Sequence, residues 1–80
     1  MKRADISTAE VLRAYRDRPM FGPWPTAILM EKGYPAKVAY AAMEREERRG
    51  FIEYGVSLRA GWLTPKGERE LARIEQEESS

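Results

Sequence analysis

Residues Gly33–Tyr54, GYPAKVAYAAMEREERRGFIEY, constrain this chain more than any other stretch. Between Ala36 and Arg49 there is no Gly or Pro, and Ala, Met, Glu, Arg and Lys dominate, residues that cost little in a helix. Pro35 is suited to a first helical position, where its missing N–H is no loss and its φ is already helical. Gly50 supplies the left-handed residue that ends a helix, and Arg48 and Arg49 lie beside the negative end of the dipole. Phe51-Ile52-Glu53-Tyr54 is aromatic and β-branched. The pattern predicts a helix over 35–49 that passes into a strand at Gly50.

The rest of the chain leaves that helix few partners. Eighty residues predict a single domain over 1–80 with an ordered core of about 7–75, and a chain of this size buries a thin core. There is no Cys and no His, so neither a disulfide framework nor a thiolate zinc site is expected, and the usual nucleophile–base pairs are missing. Asp5, Asp17 and the scattered Glu residues lack a spacing suited to acid–base work. The expectation is a protein that is not an enzyme and holds no metal and no cofactor. The longest uncharged run, Pro19–Met30, is too short and too broken by Pro and Gly to cross a bilayer, so a cytoplasmic protein without a membrane partner is expected. Net charge is +1, yet residues 1–67 carry 12 Lys and Arg against 8 Asp and Glu, and residues 68–80 carry 2 against 5. A mildly basic body is thus masked by an acidic end.

Taken in order, Met1–Ile6 reads as a frayed basic lead. Ser7 and Glu10 form a capping box for a first helix through Val11, Leu12 and Tyr15, with Arg13, Arg16 and Arg18 outward and Pro19 as its stop. Met20–Pro25 is an apolar connector. Thr26–Lys32 is a short helix, opened by Pro25 or Trp24, anchored by Ile28 and Leu29, and ended by Gly33. After the 35–49 helix, Phe51–Tyr54 and Trp62–Thr64 form a hairpin around a projecting 55–61 loop, unless Val56 and Leu58 extend the strands and shorten that tip. Thr64 and Pro65 open a last helix with Leu71 and Ile74 on its apolar face, and Glu75–Ser80 is expected to fray. Trp24, Phe21 and Trp62 are expected to fill the core.

Glu47-Arg48-Arg49-Gly50-Phe51-Ile52 is similar to the helix end, glycine and apolar pair that open the wing of winged-helix domains. Trp62-Leu63-Thr64-Pro65-Lys66-Gly67-Glu68-Arg69-Glu70-Leu71 is similar to their strand-to-helix "LTxxG" junction. The chain therefore resembles, over about Thr8–Ile74, a winged helix-turn-helix domain of the broad MarR/PadR type found in bacterial and phage regulators. The resemblance implies an α+β fold: two helices, a recognition helix at 35–49, a two-stranded wing and a C-terminal helix. One position departs from the family. Four residues before the wing glycine, where a core Leu is usual, stands Glu46. Two readings stay open: close packing on Ala39, Ala42 and Met43, or a rotated helix with Glu46 at the margin.

The resemblance further implies double-stranded DNA as partner, with the recognition helix in the major groove and the wing on the backbone or minor groove, and hence a nucleoid location. The residues assigned to DNA are Tyr34, Lys37, Val38, Tyr40, Ala41, Arg45 and Arg48 from the helix region, and Ser57 and Arg59 from the wing. Lys37, Arg45 and Arg48 suit phosphates or guanine edges, and Tyr40 suits a phosphate or a thymine methyl. The bland alternative pairs the arginines with Glu44, Glu46 and Glu47 on a solvated face. A second function class is a protein-interaction adaptor whose contact surface is Val56, Leu58 and the Met20–Trp24 connector. A homodimer, through the first helix or the Leu71/Ile74 face, would double the DNA contact.

Overall fold

The computed structural model describes residues 2–18 and 22–79. It is an α+β fold of four helices and one two-stranded antiparallel sheet: α1 Thr8–Arg16, α2 Pro25–Glu31, α3 Ala36–Arg48, β1 Ile52–Glu53, β2 Trp62–Leu63 and α4 Pro65–Glu78. Pro19, Met20 and Phe21, expected to end α1 and open the connector, lie outside the described residues. No helix among the described residues is long and apolar enough to cross a membrane.

Local chemistry sets the element ends. Ser7 Oγ accepts from Glu10 N at 3.1 Å, and Glu10 Oε2 accepts from Ser7 N at 3.4 Å, which is the expected box. α2 and α3 end alike. Gly33 N–H donates to Met30 O and Tyr34 N–H to Leu29 O, just as Gly50 N–H donates to Glu47 O and Phe51 N–H to Glu46 O. Both are Schellman closures, and they place Gly33 at φ 102° and Gly50 at φ 82°. Pro35 is the residue before α3, extended at φ −61° and ψ 148°, rather than its first helical residue.

α1 is the hub, touching α2, α3, α4 and β2. Val11, Leu12, Ala14 and Tyr15 from α1 meet Leu29, Ala39, Ala42, Met43, Ile52, Leu58 and Leu71 in one core. The sheet is minimal: Ile52 pairs with Leu63 and Glu53 with Trp62. Its inner face holds Ile52, while Glu53 and Trp62 face outward together.

Several expectations are corrected. The lead is no loose end, because Ile6 is fully buried after a 3-10 turn at Arg3–Asp5. α4 does not fray at Glu75, since helix continues to Glu78. Glu75 accepts from Arg13 Nε at 3.0 Å and Arg16 Nη1 at 2.7 Å, and Glu78 from Arg13 Nη2 at 2.7 Å. Arg13 therefore faces α4 rather than open solvent. Leu71 is buried in the chain's own core with Ile74 packed beside it, which occupies the face considered for a dimer. The 55–61 loop is less projecting than expected: a 3-10 turn at Leu58–Ala60 buries Leu58, and Tyr15 Oη donates to Leu58 O at 2.7 Å. Burial of that hydroxyl pushes its pKa up. Trp24 and Trp62, expected in the core, are 46% and 51% exposed.

Candidate nucleic-acid interface

The inward row of α3 is Ala39, Ala42, Met43 and Glu46, all fully buried. At 3.6 residues per turn the opposite side is centred on Lys37, Ala41, Glu44 and Arg48, within a roughly 60° arc about 16 Å long. Lys37, Glu44 and Arg48 are exposed, and Ala41 is half-buried between them. None of these three charged side chains has a hydrogen bond or ion pair among the described residues. Beside this face lies the hairpin. A shallow dent of about 90 Å³ is lined by Tyr40, Glu44, Glu47 and Arg48 from α3 and by Tyr54 and Leu58 from the loop.

Glu46 resolves the question left open by its departure from Leu. The helix does pack closely on Ala39 and Ala42, but Glu46 is at the centre of the buried row, not at its margin. Its carboxylate sits between two guanidinium groups, Arg45 Nη2 at 2.9 Å and Arg49 Nη1 at 3.2 Å. Arg45 also donates to Arg3 O at 2.8 Å and Ile6 O at 2.7 Å, which staples the N-terminal turn to α3. Arg49 donates further to Thr8 Oγ1 at 3.0 Å. A buried charge needs such partners, and no buried side-chain N or O among the described residues lacks one.

The assigned residues thus divide. Lys37, Ala41 and Arg48 share the outward face of α3, whereas Val38 and Tyr40 lie on its flanks and pack against the core. Tyr34 Oη donates to Glu10 Oε2 at 2.8 Å, tying the turn before α3 to the start of α1. That bond to a carboxylate holds the Tyr34 hydroxyl protonated, raising its pKa. Arg45, with its side chain only 15% exposed, is committed to the Glu46 network. Ser57 is half-buried at the start of the 3-10 turn. Arg59 lies 5.8 Å over the Trp24 ring, and its carbonyl accepts from Arg18 Nη1 at 2.8 Å, which draws it toward the start of α2. Lys66, unassigned from sequence, donates to Arg49 O at 2.9 Å and sits over the Phe51 ring at 5.3 Å.

A second surface feature was not foreseen. A groove of about 750 Å³ runs between α1, β2 and α4, lined in part by Tyr15, Arg18, Trp62, Leu63 and Leu71. The cue was cross-strand: once Glu53 faces solvent, whatever pairs with it must as well. Among the described residues no group of three or more Asp or Glu could hold a metal ion.

No protein-family model, curated protein or solved structure matches the chain.

Proposed function

We propose that the chain is a winged-helix DNA-binding module of a small regulator, with α3 as the recognition helix and the β1–β2 hairpin as the wing. The α2–turn–α3 unit, the hairpin directly after α3 and the α4 cap support the reading. The observation that carries it is the contrast between cations on one helix: Arg45 and Arg49 are held by Glu46, while Lys37 and Arg48, at the centre of the outward face, have no ion pair among the described residues. Unpaired cations aligned along one helix face are the electrostatic footprint of a phosphate contact. Arg45 is reassigned from DNA contact to holding α3 in place.

A salt titration of binding to duplex DNA tests this. Replacing Lys37 and Arg48 together by Ala should flatten the log–log salt slope by about 2, since each phosphate contact contributes roughly 0.9. Failure of the wild type to bind duplex at low salt overturns the proposal.

One observation favours a second reading, the protein-interaction adaptor. Half-exposed Trp62 beside the α1–β2–α4 groove is the kind of aromatic anchor that dominates protein interfaces. Leu58, expected from sequence on a contact surface with Val56 and the Met20–Trp24 connector, is buried, so Trp62 belongs to a different surface from the one expected. Under this reading Trp62→Ala abolishes partner binding, and Lys37→Ala with Arg48→Ala leaves it intact.

A further inference from the structure

We infer that Glu44 is a specificity-determining residue of the α3 face, accepting from the N4 amino group of a cytosine in the major groove; the inference rests on the DNA-binding reading above. Glu44 stands between Lys37 and Arg48 along the outward arc, with an alanine as its neighbour on that arc. It is exposed and has no ion pair among the described residues, although Arg48 follows it at i+4, a spacing at which oppositely charged side chains commonly pair. The other carboxylate two residues on, Glu46, has its structural use in the core. Glu44 has none.

A carboxylate on a phosphate-binding face is unfavourable unless it meets a donor. In the major groove only two bases offer one. Cytosine presents N4–H2, and adenine presents N6–H2 beside the N7 acceptor, while guanine and thymine present acceptors at the matching edges. Glu44 therefore selects cytosine first, tolerates adenine, and rejects guanine and thymine by repulsion. The outward arc is about 16 Å long, or roughly five base-pair steps at 3.4 Å. Arg48 lies one helical turn beyond Glu44 and Lys37 two turns before it, so the three side chains address different base pairs. Rejection is the larger part of the effect. A face of cations alone would hold any duplex, and Glu44 lowers affinity for most sequences more than it raises it for one.

The test is selection of bound sequences from randomised duplex DNA with the wild type, Glu44→Ala, Glu44→Gln and the Lys37→Ala/Arg48→Ala variant, each checked for an unchanged melting curve. The wild type should enrich a motif with cytosine at one position. Glu44→Ala should lose preference at that position alone, about five- to tenfold in relative affinity, and bind unrelated duplex more tightly. Glu44→Gln should change the same position to adenine, because a carboxamide can pair with both N6 and N7. The same motif from wild type, Glu44→Ala and Glu44→Gln, with the Lys37/Arg48 variant weakened, overturns the inference and keeps the DNA reading. Recovery of duplex by the wild type with no sequence enriched also overturns the inference and keeps the DNA reading, whereas recovery of no duplex at low salt overturns both.

Discussion

Glu44 and Glu46 sit two residues apart on α3 and respond to opposite environments. Glu46 is fully buried and shared between Arg45 and Arg49, so removing it leaves the Arg45 guanidinium largely out of water, without its carboxylate partner and with only its two backbone acceptors. Breaking a buried pair from one side costs about 3–5 kcal/mol. Arg49 is about half exposed and loses little, and Arg45 keeps its two backbone acceptors, which puts Glu46→Ala near the lower end, at about 3 kcal/mol. Glu44→Ala, at an exposed site with no ion pair among the described residues, should change stability by less than about 0.5 kcal/mol. Urea denaturation of both variants checks the pair. Equal midpoints would mean that the Glu46 network contributes nothing net. The same network explains how a carboxylate can stand in the buried row of α3: the arginines it needs are its own neighbours in sequence.

At the scale of elements, the joint that fixes the hairpin against the helices is the end of α3 meeting the start of α4. Thr64 Oγ1 accepts from Gly67 N–H at 3.0 Å and donates to Gly50 O at 2.7 Å, and Thr64 N–H donates to Phe51 O at 3.0 Å. Gly67 lies so close to the backbone just before β1 that an added Cβ would clash with the Phe51 carbonyl. Gly67→Ala should therefore destabilise by about 1–3 kcal/mol or more, although alanine is the better helix former by about 1 kcal/mol. Thermal melting reads the sign directly, and a rise in Tm would show that the joint has slack. The "LTxxG" string was visible in the sequence as a resemblance; its physical content, a cap threonine and a glycine pressed on backbone, needed the packing. The helices were legible because capping residues and helical apolar spacing are local signals, as at Ser7, Glu10 and Gly50. The Trp positions were not. Which face Trp62 takes depends on strand register across residues 54–61, and no local signal in that loop states that Leu58 turns inward to meet Tyr15. Arg45 and Arg48, three residues apart on one helix, look alike in sequence, and only the position of Glu46 and the N-terminal turn separates a structural arginine from a free one.

For the whole molecule, the uneven charge along the chain becomes an internal clasp. The acidic end of α4 does not trail in solvent: Glu75 and Glu78 neutralise Arg13 and Arg16 on α1, and Asp17 adds to Arg16 at 2.8 Å. The clasp also makes folding acid-sensitive. Hydrogen bonds from Arg13 and then Arg16 hold the Glu75 carboxyl below its ordinary pKa, Arg16 does the same for Asp17, and Arg73 for Glu70. A carboxyl whose pKa is lower folded than unfolded binds fewer protons when folded. Its contribution is complete above the ordinary carboxylate range and disappears as pH falls through the folded value, so stability should be flat near neutrality and decline below about pH 4. The pairs are partly to fully exposed and each is worth little alone; the signal is the summed slope. Melting curves from pH 7 down to pH 2.5 should show Tm falling most steeply below the ordinary range, and Glu75→Gln should start lower and fall less. Parallel curves for the two proteins would mean that the α1–α4 pairs are surface ornaments, and that the acid response comes from elsewhere in the fold.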